Sequence, residues 1–136
     1  MIYLLDTNAC IALINGTPPR PRERLTAAVE DGATLLVSTV TVFELWYGVA
    51  KSARHAFNTR RVETFLAGAL DVVTVEEDDA QAAGRVRAAL EQKGTPIGPF
   101  DVLIAGQALA RHATLVTTNA NEFARVAGLA REDWTR

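Results

Sequence analysis

Short apolar runs alternate along the chain with longer segments whose apolar positions recur at helical spacing. The short runs, at residues 2–5, 35–37, 72–75 and 115–117, predict four buried strands. The longer segments predict helices at residues 7–14, 22–31, about 39–51, 53–70, 78–94 and 100–112. This alternation is typical of an α/β domain with a mainly parallel central sheet, flanked by helices.

Turn-forming residues set the limits of these segments. Asn15-Gly16, Gly32 and Gly94 are stop signals for helices, and residues 94–99 form a loop because they contain two Gly and two Pro. Residues 119–122 read as a turn or a short helix. We expect the tail around Trp134 to add an edge strand, which gives about five strands in all.

The size and composition indicate one soluble globular domain spanning residues 1–136. The chain is 49% hydrophobic and 22% charged, which is ordinary globular usage. Cys10 is the only cysteine, so no disulfide can form within the chain, and we expect it in the core. No apolar run approaches the roughly 18 residues that cross a bilayer. We therefore expect a protein of the bacterial cytoplasm, with no membrane partner.

The charge balance argues against a basic protein that coats nucleic acid. Sixteen acidic residues stand against 14 Lys and Arg, which gives a formal net charge of −2 and a pI near 5.7. Nucleic-acid-binding proteins usually carry a strong positive excess. The balance still allows a nucleic-acid enzyme whose positive charge is local or comes from a bound metal ion.

Three carboxylates occupy positions where catalytic or metal-binding side chains are expected. Asp6 directly follows the first strand, Glu44 is the one charge in a long apolar helix, and Asp101 lies in the first turn of its helix. Each also has an ordinary structural interpretation, as a helix N-cap, a solvated helix face and a complement to the helix dipole respectively.

The helix that carries Glu44 has two faces in this interpretation. Helical spacing places Phe43, Trp46, Tyr47 and Ala50 on a buried stripe, in the core or at a dimer interface. Glu44 then lies on another face, together with Thr41, Gly48 and Lys51. Because so apolar a helix is covered nearly all round, we expect its carboxylate to face a cleft.

The three carboxylates are more informative as a group than singly. In a parallel sheet, ligands bind beyond the carboxyl ends of the strands, where these side chains can meet. Their mutual repulsion would require a cation, and oxygen ligands without His or Cys favour Mg²⁺, with Mn²⁺ as a substitute. Such a site suits phosphoryl chemistry, with a spare carboxylate as general base. Asn119 and Glu122 follow the fourth strand and are further candidates.

The ordered motifs resemble the PIN-domain ribonucleases, specifically the VapC-type toxins of bacterial toxin–antitoxin pairs. The motifs are Leu5-Asp6-Thr7-Asn8, Phe43-Glu44-Leu45-Trp46-Tyr47-Gly48, Gly94-Thr95-Pro96-Ile97-Gly98-Pro99-Phe100-Asp101 and Val116-Thr117-Thr118-Asn119 with Asn121-Glu122-Phe123. The resemblance implies a five-stranded parallel sheet and a metal-dependent endoribonuclease. Its catalytic residues would be Asp6, Glu44, Asp101 and Glu122, and its metal ligands Asp6, Asp101, Glu44 and Asn119.

One position departs from the family pattern. Asn119 stands where many PIN domains have an aspartate. Either Asn119 binds the metal through its carbonyl oxygen or a water molecule, or Glu122 supplies the fourth charge. The departure leaves open whether one or two metal ions bind.

The resemblance also implies partners. These are a small VapB-like antitoxin that covers the site, a second copy of the toxin, and structured RNA such as tRNA, cut to leave a 5′-phosphate and a 3′-hydroxyl. The candidate contacts to the RNA backbone are basic residues in the proline loop and around the junction of the two central helices, namely Arg20, Arg22, Arg24, Lys51, Arg54, Arg60 and Arg61.

Two other functions compete with this one. A PIN fold could act only as a protein-interaction module, although intact Asp6, Glu44 and Asp101 disfavour that. A metal-dependent phosphatase of the haloacid-dehalogenase type would also place an aspartate after the first strand, but it needs a second one two residues later, where this chain has Asn8.

Overall fold

A parallel sheet of five strands forms the centre of the protein. The computed structural model describes residues 1–136, and the strand order is β3-β2-β1-β4-β5. The predicted α/β class with a parallel central sheet is confirmed. The innermost strand, β1, is flanked by parallel neighbours on both sides and reads as a continuous apolar run for that reason. The strands are β1 (Ile2–Leu5), β2 (Thr34–Ser38), β3 (Asp71–Val73), β4 (Thr114–Val116) and β5 (Arg131–Glu132).

Seven helices cover the two faces of the sheet. The strand order runs outward from β1 to β3 and then crosses to β4, so right-handed connections place later helices on the opposite face. The first helical layer contains α1 (Thr7–Asn15), α2 (Arg20–Glu30), α3 (Thr39–Ala50) and α4 (His55–Leu66). The second helical layer contains α5 (Glu77–Gln92), α6 (Pro99–Ala110) and α7 (Ala120–Phe123). None of these helices combines the length and apolarity that a membrane crossing requires.

Alternate residues of the strands supply two separate cores. Leu5 packs with Cys10 and Leu45 under the first layer, whereas Leu4 packs with Ile104 and Phe123 under the second. Neighbouring residues of a strand point to opposite faces, which accounts for the division.

Close backbone contact joins α5 and α6. A Cβ atom added to Gly106 would lie 2.4 Å from the Ala83 nitrogen, so only glycine fits at this crossing. The buried Asp79 carboxylate accepts hydrogen bonds from the Arg111 guanidinium at 2.9 Å and from the Glu76 amide at 2.8 Å. Glu76 lies at the start of α5. The helix therefore begins with Glu76 as its cap, slightly before the predicted Asp78 or Asp79.

Other element boundaries also differ from the prediction, among them the start of α2, which lies at Arg20 instead of residue 22. The helix predicted at residues 53–70 is the shorter α4, because the chain turns at Gly68, whose carbonyl accepts from the Leu70 amide at 2.8 Å. The strand predicted at residues 72–75 ends at Val73. The carbonyl of Thr74 leaves the sheet and accepts from Gln107 at 2.9 Å and Arg111 at 3.1 Å.

The predicted stripe of α3 does not lie in the core of the protein. Phe43 and Tyr47 are 55% and 59% exposed, and the buried side chains are Thr41, Leu45 and Val49. Because α3 is apolar almost all round, hydrophobic spacing alone does not identify the face toward the sheet.

The tail adds the predicted edge strand, but Trp134 is not part of it. Its edge strand is β5, and Trp134 lies beyond it as a core residue, 3% exposed and in edge-to-face contact with Tyr3 at a ring distance of 5.4 Å.

Candidate active site

The site lies at the carboxyl ends of β1 and β4, where the strand order changes direction. Asp6 follows β1, and its amide donates to the carbonyl of Val116 at 3.0 Å. Open parallel sheets bind ligands at such switch points.

Asp6 combines a structural and an electrostatic role. Its carboxylate caps α1 by accepting from the Ala9 amide at 2.8 Å, so the N-cap interpretation holds. The side chain is 4% exposed, and burial raises its pKa to about 6, although hydrogen bonds from Thr117, Ala9 and Asn8 oppose that change. The nearby charge of Glu44 also raises it.

The Thr7 hydroxyl holds Glu44 in place. It donates to Glu44 Oε1 at 2.6 Å and lies 3.3 Å from the hydroxyl of Thr41, which is fully buried. Helical spacing places Thr41 on the same face as Glu44, but sequence reasoning assigned neither threonine a role. The one available signal for Thr7 was its position directly after Asp6.

Asp101 completes the acidic group from the second layer. It lies in the first turn of α6 and is half-buried. Burial raises its pKa to about 6, and the charges of Glu122, Asp6 and Glu44 add to the effect in that order. The structure therefore brings together the four carboxylates that the sequence singled out.

Asn119 and Glu122 act as one unit at the edge of this group. The Asn119 amide group donates a hydrogen bond to the Glu122 carboxylate, and its backbone amide donates to the Thr117 hydroxyl at 2.9 Å. Since the charge of Glu122 has the largest effect among the carboxylates on the pKa of Asp101, both alternatives for the fourth site residue lie at the site.

The predicted metal ligands do not by themselves form a complete coordination shell. No group of three or more Asp, Glu, His or Cys side chains is close enough to hold an ion directly. The donors still fit a hard divalent cation: they are oxygens only, and Asp6 and Asp101 carry uncompensated negative charge. Mg²⁺ takes one or two direct carboxylates and keeps several waters, so this pair suits it.

Two of the predicted RNA-binding arginines are hydrogen-bonded to other parts of the protein. Arg22 donates to the carbonyls of Leu13 and Ile14 at 2.8 and 2.9 Å, at the end of α1. Arg61 donates to the side chain of Asn15 at 2.6 Å. Both stabilise the C-terminal end of α1, where cations are favourable.

The other basic candidates lie around the first helical layer. Lys51 lies 4.7 Å from the Tyr47 ring, and Arg54 lies 4.1 Å from the ring of Phe57. Arg24 pairs with Glu132 at 2.9 Å, and Arg20 and Arg60 are exposed.

Exposed aromatic rings flank the acidic group. Phe43 and Phe100 meet edge to face at 5.4 Å, and each is the sequence neighbour of a site carboxylate, Glu44 and Asp101 respectively. Tyr47 extends this apolar surface along α3.

Comparison with known proteins assigns the family. The family model of the PIN domain matches residues 3–129. The tRNA(fMet)-specific endonuclease VapC of Shigella flexneri is 40% identical over 133 residues, which cover 98% of each protein, and ribonuclease VapC2 of Rickettsia felis is 38% identical over the full length of both. The crystal structure of VapBC2 from Rickettsia felis bound to a DNA fragment from their promoter matches with a TM-score of 0.92 and 37% identity, covering 98% of this chain and 99% of that one. The chain belongs to the PIN-domain family, among its VapC ribonucleases.

Proposed function

We propose that this protein is the endoribonuclease toxin of a toxin–antitoxin pair, which hydrolyses phosphodiester bonds in RNA and so inhibits translation. The observation that carries the proposal is the convergence of Asp6, Glu44, Asp101 and Glu122 at the switch point of the sheet. Relatives that match along the whole chain bear ribonuclease names.

The metal is the second part of the proposal. PIN-domain nucleases generally depend on a divalent metal, and we assign Mg²⁺ here, with Mn²⁺ as a substitute. Asp6 and Asp101 would bind the ion directly, and Glu44 and Asn119 would hold its water shell. When bound, the ion lowers the pKa of its water and neutralises charge on the phosphate.

The protein's own residues position the reaction. Thr7 fixes the Glu44 carboxylate on one side of the site, and Asn119 fixes Glu122 beside Asp101 on the other. We assign to Glu44 and Glu122 the orientation of the attacking water and the acceptance of its proton. Attack by water leaves a 5′-phosphate and a 3′-hydroxyl, so a preference for RNA must come from shape and contacts.

Partners and substrate follow from the family. We propose a VapB-like antitoxin, because the matching Rickettsia felis structure is of VapBC2. Structured RNA, tRNA in the first instance, is the proposed substrate, since the Shigella flexneri relative is named for tRNA(fMet). The aromatic surface formed by Phe43, Tyr47 and Phe100 supports a homodimer. The proposed location is the bacterial cytoplasm.

The test is an RNA cleavage assay with the purified protein, freed of its antitoxin. Unfractionated tRNA should be cut in Mg²⁺ or Mn²⁺ and remain intact in EDTA. Asp6→Asn and Asp101→Asn should each lower the rate by about 10²–10⁴-fold, because loss of a metal-binding charge removes several kcal/mol of transition-state stabilisation. Asp31→Asn, an exposed carboxylate outside the site, is the matched control and should leave the rate unchanged.

Two outcomes would redirect the proposal. Tight antitoxin binding without any RNA cleavage would favour an interaction module. Release of inorganic phosphate from a phosphomonoester, with RNA left intact, would favour a phosphatase.

A further inference from the structure

A groove on the second helical layer lies outside the acidic site. It runs between α5 and residues 125–127, across the C-terminal end of α6, and encloses about 460 Å³. Its floor is apolar and includes Val86, Leu90, Leu109 and Val126.

Three cations border this groove without a carboxylate partner. Arg85 comes from α5, Lys93 directly follows that helix as its C-cap, and Arg125 comes from the segment after α7; all three are exposed. The ion pairs made by α5 involve other residues, since Arg87 pairs with Glu91 and Asp79 with Arg111. Asp78 is the one carboxylate in the lining. A protein with a net charge of −2 therefore has a locally positive groove.

The positive end of the groove points toward the acidic site. Asp79 pairs with Arg111, so the start of α5 lies beside the end of α6, and the two helices run antiparallel. Asp78 is consequently at the far end, and Lys93 is at the end where Asp101 begins α6. Arg125 follows Glu122 by three residues and donates to the Pro96 carbonyl at 3.2 Å, in the loop that leads to Asp101.

We propose that this groove is a second RNA-binding surface, which holds the phosphodiester backbone of the substrate at a distance from the scissile bond. The proposal rests on the proposed ribonuclease function and extends it. Arg85 and Lys93 are eight residues apart along α5 and its C-cap, or about 12 Å, so a charged backbone following the groove meets several cations in turn. The apolar floor suits the faces of sugars and unstacked bases.

One observation favours RNA over an acidic protein segment. Arg125, which lines the groove, donates to the Pro96 carbonyl, so this border of the groove lies beside the loop that leads to Asp101. A strand cut at the acidic site therefore has cations next to it along this side of the protein.

The test measures RNA affinity and cleavage separately. Binding of unfractionated tRNA is measured in EDTA, so that no cleavage occurs, over a series of salt concentrations. The variant is R85A/K93A/R125A. The matched control, R87A/R131A/R136A, removes the same number of charges elsewhere on the surface. A second variant, R85A/K93A, keeps the Arg125–Pro96 hydrogen bond and guards against a folding defect.

The groove variant should raise the Kd for tRNA about 10–100-fold. It should also reduce the magnitude of the slope of log K against log salt by about 2, because each phosphate contact contributes roughly 0.7–0.9 to that slope. The control variant should change affinity little. In Mg²⁺, the groove variant should raise KM for tRNA with kcat unchanged, and should cleave a short oligoribonucleotide, too small to reach the groove, at the wild-type rate.

Equal loss of tRNA affinity in the groove and control variants would overturn the proposal, because net charge alone would then explain binding. Unchanged tRNA affinity with weakened antitoxin binding would also overturn it, in favour of a protein partner. Failure of the wild-type protein to cleave any RNA would contradict the proposed function, and the binding arm would still report on the groove.

Discussion

Arginines that look alike in the sequence differ in what they contact, as Arg22 and Arg61 in the first layer and Arg85 in the second show. In the first layer, Arg22 and Arg61 donate to the end of α1, and their guanidinium groups complete the fold. In the second layer, Arg85 borders a groove without an ion pair. A basic residue in the sequence is therefore no indication of nucleic-acid contact until its neighbours are known.

The two layers also differ at their helix crossings. The second layer brings α5 and α6 into backbone contact at Gly106, whereas an open groove of about 650 Å³ lined by Leu13, Leu25 and Phe65 lies between helices of the first. The close crossing holds α6, which carries Asp101, against α5.

Substitution of one glycine in each layer tests this difference and has the largest expected effect. Gly106→Ala places a methyl group 2.4 Å from the Ala83 backbone, so we expect a loss of about 3 kcal/mol or more in the free energy of unfolding. Gly48→Ala, in α3, meets no atom within 4 Å and should stabilise by up to about 1 kcal/mol through helix propensity. Urea denaturation measures both. Equal effects would show that the crossing can relax.

The buried carboxylate of Asp6 makes the free energy of unfolding depend on pH. An aspartate in an unfolded chain titrates at about 4, whereas the pKa of Asp6 in the fold is about 6. The folded protein binds this proton more tightly, so its stability without metal falls as pH rises from about 4 to about 6 and stays lower above that. The difference amounts to about 3 kcal/mol at most.

Asp6→Asn keeps the N-cap and removes the charge. It should raise the free energy of unfolding at pH 7.5, where wild-type Asp6 is ionised, by up to about 3 kcal/mol, and change it little at pH 4. Denaturation at the two pH values, in EDTA, gives the comparison. A stability gain of equal size at both would mean that burial of charge is not the cause.

Thr7 tests the first-layer side of the site. Thr7→Val keeps the shape and removes the bond to Glu44, so kcat should fall about 10–100-fold, in the range found for residues that orient metal-site ligands. Thr7→Ser should restore most of the rate with KM unchanged throughout. Thr26→Val, which removes a hydroxyl bonded to the Arg22 carbonyl, is the control. An unchanged kcat in Thr7→Val would show that Glu44 needs no fixed orientation.

The sheet and the acidic residues could be predicted because each depends on local sequence. The central strands are apolar runs since both of their faces are buried, and Asp6 is placed by following one of them directly. The face of α3 could not be predicted, because its apolar residues surround the helix and only the packed sheet selects Thr41, Leu45 and Val49.

Contacts between segments that are distant in the sequence could not be predicted either. The bond between Thr7 and Glu44 joins residues 37 positions apart, and Asp79 meets Arg111 across 32. The groove cations lie on two elements that become neighbours only when the helices pack. Periodicity describes one element at a time, so it carries no information on these pairs.

Alanine substitutions of Arg22 and Arg85 compare a hydrogen-bonded arginine with an unpaired one directly, and they have the smallest expected effects on stability. Arg22→Ala loses two bonds to α1 carbonyls and the contact over Gly16, so the free energy of unfolding should fall by about 1–2 kcal/mol. Arg85→Ala removes an exposed side chain without an ion pair and should change it by no more than about 0.5 kcal/mol. Affinity for tRNA should show the reverse order, with a weaker complex for Arg85→Ala alone. If Arg22→Ala instead weakened tRNA binding without loss of stability, the guanidinium would exchange its carbonyl partners for phosphate, and Arg22 and Arg85 would not differ in the way proposed.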